Sequence, residues 1–178
     1  MKTLVTSYSL TGNNRLLAAH VVERLDADHD EIEAMRGMKT FGILLDGMFN
    51  RTPRIGPVKH DPGEYDLVVL AGPVWMGKIA SPLRTYIKSY RSSISRVAII
   101  SICGGSLGKN EKLPEELRRL VGVAPIETKQ LYINDILPPE QQNQMKSSSA
   151  YRITQSDLEG KWKPEIDEFM QKVTTAGT

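Results

Sequence analysis

Short apolar runs alternate along the chain with longer stretches in which apolar residues recur at helical spacing. The run in 66–74 is nearly all apolar, which is typical of a parallel strand covered on both faces. We predict strands within 2–9, 28–35, 66–74, 96–103 and 129–137. We predict helices within 13–25, 81–94, 113–122 and 161–173.

Capping residues mark the ends of two of these helices. Ser81 is a possible N-cap with Pro82 in the first helical position, and Gly122 is placed to end a helix. The β-α order predicts an α/β fold, a doubly wound parallel sheet with helices on both faces, in a single domain covering residues 1–178.

Ligands of such sheets bind beyond the carboxyl ends of the strands, at the topological switch point. Three polar or glycine-rich loops are expected there, at 7–14, 72–80 and 103–109. Two segments fit the β-α pattern poorly. Residues 36–60 contain a helical piece followed by a loop, and residues 138–158 read as a polar excursion near the last strand.

Composition narrows the class of protein. The chain is 40% hydrophobic and 25% charged with a net charge of +2, which does not indicate nucleic-acid binding. One cysteine excludes an internal disulfide and favours a reducing compartment. The apolar runs are too short for a signal peptide or a membrane span, so we expect a cytoplasmic protein. The histidines show no metal-binding spacing, and we predict no metal site.

The first of the three loops has the chemistry of an anion site. A helix N-terminus leaves backbone N–H groups unsatisfied and carries a partial positive charge. The hydroxyls of Ser9 and Thr11 and the amides of Asn13 and Asn14 can donate to a phosphate, and Gly12 allows close approach. The same residue types are also favoured simply as helix caps, so both interpretations stand.

A second possible phosphate site fails on physical grounds. The spacing from Gly72 to Ile79 matches the nucleotide-binding pattern G-x-x-x-x-G-K. Ile79 stands where a Mg²⁺-binding hydroxyl is required, and Pro73 has no N–H to offer. Trp75 and Met76 suit a flat apolar ligand better than a phosphate.

The loops resemble those of the flavodoxin-like family of FMN-binding proteins. The matching segments are Tyr8–Asn14, Gly72–Pro82 and Cys103–Ser106, which resemble that family's phosphate loop and two flavin-ring loops in the same order. Leu10 and Asn14 depart from the residues that are common in the family, and Leu10 removes one possible phosphate donor.

The resemblance implies a five-stranded sheet in the order 2-1-3-4-5, with FMN as the cofactor. Its phosphate would lie on the first loop and its ring between the other two. The residues that this places at the cofactor are Ser9, Leu10, Thr11, Gly12, Asn13, Asn14, Pro73, Val74, Trp75, Met76, Gly77, Lys78, Cys103, Gly104, Gly105 and Ser106.

A flavin ring needs a flat apolar surface and close backbone donors. Trp75 can stack on the ring, and it stands just past a strand end rather than within a core pattern. Backbone N–H groups around Gly77, Gly104 and Gly105 can reach the polar edge of the ring. Cys103 is expected to be a buried structural cysteine, and the alternative is a thiol in contact with the flavin.

Charge near the loops leaves the type of electron transfer open. The three loops contain no acidic residue and are flanked by Arg15, Lys78 and Lys109. Acidic surroundings are typical of small flavodoxins, whereas basic ones stabilise reduced anionic flavin. The alternatives are an FMN-binding electron carrier serving a redox partner protein, an NAD(P)H-dependent reductase of quinone or FMN, and a non-catalytic binding module.

Two further features concern partners. Arg84, Lys88 and Arg91 share one helix face, which is expected to be solvated or to serve as a docking patch, and Arg51, Arg54 and Lys59 form a second basic segment. Trp162 and Phe169 can serve either the core or a dimer interface, so the oligomeric state stays open.

Overall fold

Five parallel strands form the central sheet of this computed structural model, which describes residues 1–33, 53–75, 77–105 and 110–176. The strands are β1 (Thr3–Ser7), β2 (Asp28–Glu31), β3 (Leu67–Ala71), β4 (Val97–Cys103) and β5 (Thr128–Tyr132). Numbered along the chain, they lie in the order 2-1-3-4-5, and every neighbouring pair is parallel. The predicted fold class and strand order are confirmed.

Helices lie in the connections that follow β1, β3 and β4 and in the segment after β5. They are α1 (Asn13–Leu25), α2 (Ser81–Tyr90), α3 (Leu113–Val121), α4 (Ile133–Ile136), α5 (Met145–Ala150), α6 (Gln155–Glu159) and α7 (Lys163–Thr175). Single 3₁₀ turns lie at Pro62–Glu64 and Pro139–Gln141, and a two-stranded antiparallel hairpin joins Val74–Trp75 to Lys78–Ile79. None of the helices in the described ranges has the length and apolar character that a membrane crossing requires.

Apolar side chains pack against both faces of the sheet. On one face, residues of β1, β3 and β4 pack with α1 and α7, and this layer includes Trp162 and Phe169. On the other face, residues of β3 and β4 pack with α2 and α3. Trp162 and Phe169 are 3% and 0% exposed, so both belong to the core and neither is available for a dimer interface.

The last strand is shorter than predicted. β5 ends at Tyr132, and the chain turns into α4 instead of continuing extended to residue 137. Ile133 and Leu137 are four residues apart and both enter the core, which is a helical spacing. The turn also lets Asn134 N donate to Gly104 O at 3.0 Å, which ties this helix to the third loop.

Helix α2 begins one residue earlier than its sequence predicts. Ala80 is the N-cap and its carbonyl accepts from Arg84 N at 3.0 Å, so Ser81 is the first helical residue and Pro82 the second. The basic face predicted on α2 is also wrong in part, because Arg84 is only 5% exposed while Lys88 and Arg91 are solvent-exposed.

Some predictions fall on residues that the structure does not describe. They concern the helical piece predicted within 36–60, Arg51 of the second basic segment, and the residues Met76, Ser106 and Lys109. The excursion at 138–158 is described, and it contains α5, most of α6 and one of the 3₁₀ turns.

Candidate functional site

The first loop leaves the N-terminus of α1 open. Gly12 is the N-cap, with a positive φ of 93°, and no side chain caps the helix. Gly12 N donates to Ser9 Oγ at 3.1 Å, which leaves the Ser9 hydroxyl hydrogen free to donate. A Cβ added at Gly12 would meet nothing within 4 Å, so there is open space beside the helix end. Thr11 is exposed at the same place.

Asn14 does not present its side chain to this space. Its Oδ1 accepts from Ile102 N at 2.8 Å and its Nδ2 donates to Ile102 O at 3.0 Å. The pairing of β3 with β4 ends at Ala71 and Ile100, so the Asn14 amide takes the place of a strand beside the end of β4. Asn14 is 4% exposed, and it fixes the start of α1 to the sheet.

Asn13 fixes the same helix end to the excursion after β5. Its Nδ2 donates to Tyr151 O at 3.1 Å, and its Oδ1 accepts from Ile153 N at 3.2 Å. Asn13 is 5% exposed. The sequence-based expectation that the amides of Asn13 and Asn14 donate to a ligand stays a prediction, and these bonds argue against it. The donors left at the helix end are backbone N–H groups and two hydroxyls.

The second loop is the hairpin, and Trp75 lies on it next to the first loop. The Trp75 ring meets the Tyr8 ring edge to face, with centroids 6.1 Å apart and an angle of 86° between the planes. Tyr8 is 4% exposed and Trp75 is half-buried, so part of the indole surface stays accessible. Asn110 Nδ2 donates to Gly77 O at 3.0 Å and holds the hairpin against the start of the segment leading to α3.

The third loop begins at the buried end of β4. Cys103 Sγ lies 3.1 Å from Ser101 Oγ, and burial raises the pKa of the thiol, which fits the structural role predicted for this cysteine. Gly105 has a φ of 82°, and a Cβ added there would lie 2.8 Å from Tyr132 Cβ. Only glycine fits at this position, because Tyr132 and Asn134 close one side of the loop.

A carboxylate that sequence reasoning missed stands behind the hairpin. Both oxygens of Glu116 accept from Ile79 N, at 3.2 and 3.1 Å. Burial raises the pKa of Glu116, and the bond from Ile79 N together with nearby positive charges partly offsets this. The helical spacing carried a signal, since Glu116 lies three residues after Leu113 and four before Leu120, both of them buried.

The charge balance at the loops therefore differs from the one that the sequence predicts. Arg15 is paired with Glu31, with its Nε 2.6 Å from Oε1, so its charge is partly neutralised. Lys78 is half-buried, and its charge lies close enough to Glu116 to lower that residue's pKa. The three loops contain no acidic residue, but Glu116 on α3 brings a carboxylate to the hairpin.

The three loops meet at one edge of the sheet. Tyr8 and Trp75 join the first loop to the second, Asn110 joins the second to the segment after the third, and Asn14 joins α1 to β4. This edge lies beyond the carboxyl ends of β1, β3 and β4. The chain leaves β1 toward β2 on one side and returns to β3 on the other, so the loops lie at the topological switch point.

Comparison with known proteins finds similar solved structures. No family model matches the chain, and no curated protein matches its sequence. A flavoprotein from Lactobacillus acidophilus NCFM, solved in complex with FMN, is 23% identical with a TM-score of 0.62, over 72% of this chain and 92% of that chain. A candidate flavoprotein from Bacteroides eggerthii DSM 20697 is 20% identical with a TM-score of 0.61, over 84% and 94%.

A third solved structure is more distant. The Trp repressor binding protein from Bacillus subtilis is 16% identical with a TM-score of 0.50, over 84% of this chain and 97% of that chain. At such sequence identities the comparison shows similarity of fold alone. The strand order and these structural relatives together show that the chain has the flavodoxin-like fold.

Proposed function

We propose that this protein binds FMN where its three loops meet and uses it to transfer electrons. The observation that carries the proposal is the open N-terminus of α1 beside Gly12, with the accessible indole of Trp75 on the neighbouring loop. The FMN complex of the Lactobacillus acidophilus flavoprotein, which has a similar structure, supports the choice of cofactor.

The residues at the helix end fit a phosphate. Backbone N–H groups of the first turn, at Asn13, Asn14 and Arg15, have no intrahelical acceptor, and the helix dipole favours an anion there. The hydroxyls of Ser9 and Thr11 add two donors, and the space beside Gly12 admits the group. The side-chain amides of Asn13 and Asn14 act indirectly in this arrangement, by holding the helix end in place.

The residues at the other two loops fit a flat ring. Trp75 offers an aromatic surface, and Tyr8 supports the indole from its edge. The backbone around Gly77, Gly104 and Gly105 has no bulky side chain and can approach the polar edge of a ring. The bound flavin would supply the redox chemistry, while the protein binds it, orients it and sets the charge around it.

Two kinds of electron transfer remain as proposals. An electron carrier serving a redox partner protein is the first, and it is favoured by the motifs and by charges that are more balanced than the sequence suggests, with Arg15 paired and Glu116 close to Lys78. The second is a reductase that takes two electrons from NAD(P)H to a quinone or to FMN. Its support is Lys78 on the hairpin, since a cation there would stabilise reduced anionic flavin.

Flavin titration tests the cofactor proposal. Binding is followed by the quenching of flavin fluorescence, with FMN and with riboflavin, which lacks the phosphate. The wild type should prefer FMN. Thr11→Val should remove a hydrogen-bond donor to a charged group, which is worth roughly 1.5–3 kcal/mol. It should therefore weaken FMN binding by about 10- to 150-fold and have little effect on riboflavin binding. Thr11→Ser is the matched control, since it keeps the hydroxyl.

Equal affinity of the wild type for FMN and riboflavin would contradict the phosphate site. A protein that binds neither flavin is instead a binding module with this fold. For a protein that binds FMN, reductive titration separates the other two proposals. A carrier should take up electrons in two resolved one-electron steps, whereas a reductase should take up two together and oxidise NAD(P)H once a quinone is added.

A further inference from the structure

The first loop, on which the phosphate is proposed to bind, has no cationic side chain. A phosphate monoester carries a charge of about −1.5 to −2 at pH 7. Residues 8–14 contain no lysine or arginine. Arg15 follows them, but its Nε is 2.6 Å from Glu31 Oε1, at the end of β2. A cationic side chain that adds to the helix dipole and the backbone N–H groups here would therefore come from another part of the chain.

Residues 144–153, which we call the strap, run past this helix end. Asn13 Nδ2 donates to Tyr151 O, and Asn13 Oδ1 accepts from Ile153 N. Arg152 is the residue between these two bonds. Because Asn13 is 5% exposed and Ile153 is 7% exposed, the backbone on which Arg152 stands is fixed beside the first residue of α1.

The Arg152 guanidinium group is also held close to the helix end. Its Nη1 donates to the carbonyl oxygens of Ser149, Ala150 and Tyr151, each at 3.0 Å. Tyr151 O is the oxygen that also accepts from Asn13 Nδ2, at 3.1 Å. Two donors to one oxygen cannot be farther apart than the sum of their distances to that oxygen. Arg152 Nη1 therefore lies within about 6 Å of Asn13 Nδ2.

Part of the Arg152 side chain is left for a ligand. The three carbonyl bonds all use Nη1, so Nε and Nη2 still carry N–H groups. Arg152 is exposed, and among the described residues no carboxylate forms an ion pair with it. An arginine with one nitrogen fixed and the others open is oriented for binding an anion.

We propose that Arg152, supplied by the strap, is the cationic partner of the phosphate bound at the N-terminus of α1. The inference rests on the proposed FMN site and adds a ligand contact from outside the three loops. The three carbonyl bonds also let Arg152 cap the C-terminus of α5, and a capping role alone would stabilise the strap without distinguishing one flavin from another.

The test compares FMN with riboflavin in variants of Arg152. Arg152→Gln should weaken FMN binding by about five- to tenfold or more and leave riboflavin binding within about twofold. Arg152→Lys should recover part of the loss. Added salt should weaken FMN binding to the wild type more than to Arg152→Gln. Arg118→Gln, on α3 across the sheet, is the control and should change neither flavin.

Three outcomes would overturn the inference. Equal losses of affinity for FMN and riboflavin in Arg152→Gln mean that the residue only caps α5. Thermal unfolding without flavin measures how much the cap contributes to stability. Unchanged FMN affinity means that the guanidinium does not meet the phosphate. A wild type without preference for FMN refutes the proposed function itself, before any variant is compared.

Discussion

Replacing Asn14 by alanine tests how the structure builds the start of α1. The substitution removes both bonds to Ile102 and leaves a buried N–H and a buried C=O without their partner. Leaving a buried polar group unsatisfied costs about 1–3 kcal/mol, so we expect a loss of roughly 2–5 kcal/mol in the free energy of unfolding. For a chain of this size that corresponds to a fall in Tm of about 5–15 °C.

The assay is thermal and denaturant unfolding without flavin, followed by an FMN titration at a temperature where the variant is folded. FMN affinity per folded molecule should stay within about threefold of the wild type, because the amide faces β4 and not the open space beside Gly12. Gln171→Ala, which removes an exposed amide from α7, is the control and should change Tm little. Unchanged stability with FMN binding weakened tenfold would refute the reasoning, since the amide would then contact the ligand.

Three further substitutions test other parts of the site. Trp75→Ala should weaken the binding of both flavins by roughly tenfold while the protein stays folded. Bound flavin should quench tryptophan fluorescence more in the wild type than in this variant, which keeps only Trp162; loss of folding with unchanged affinity per folded molecule would make Trp75 a core residue. Gly105→Ala should cost roughly 1–3 kcal/mol in stability, because its Cβ would lie 2.8 Å from Tyr132 Cβ at a φ of 82°, whereas Gly56→Ala should cost less than about 0.5 kcal/mol. The raised pKa of Glu116 means that its contribution to stability is present at low pH and is lost as pH rises through that pKa. The Tm of Glu116→Gln relative to wild type should therefore increase as the pH is raised from about 4; a constant difference would contradict this.

The central strands and the long helices could be predicted because each has a clear apolar pattern, whereas the edge strand β2 has no apolar residue. β3 is a continuous apolar run, β4 is one interrupted only by Ser101, and α1 has the bounds that its spacing indicates. The end of β5 could not be predicted in the same way. Ile133 and Leu137 fit a strand by composition, and their helical spacing in the core and the bond from Asn134 N to Gly104 O become evident only in the fold.

The loops of the candidate site were located by sequence, but the partners of their side chains were not. Asn13 and Asn14 are amides that can bind a phosphate or a backbone, and the sequence favours neither. Their partners Tyr151, Ile153 and Ile102 are 138, 140 and 88 residues away along the chain. Such contacts depend on the tertiary fold, which local spacing does not report.

Charges outside the loops were the other omission. Arg15 and Lys78 stand in or beside the loops in the sequence, whereas Glu116 lies on α3 and Arg152 on the strap. Glu116 could have been found from its position on the buried side of α3. Arg152 could not, because its place beside Asn13 follows from hydrogen bonds that cross the molecule.

The central claim is that FMN binds where the three loops meet, with its phosphate at the start of α1. Amide NMR of ¹⁵N-labelled protein during titration with FMN tests it most directly. The largest shift changes should fall on the backbone amides of Gly12 to Arg15 and on those around Trp75, Gly77 and Gly105, and riboflavin should leave the first group nearly unchanged. Shifts concentrated instead at the opposite end of α2, around Lys88 and Arg91, would contradict the account.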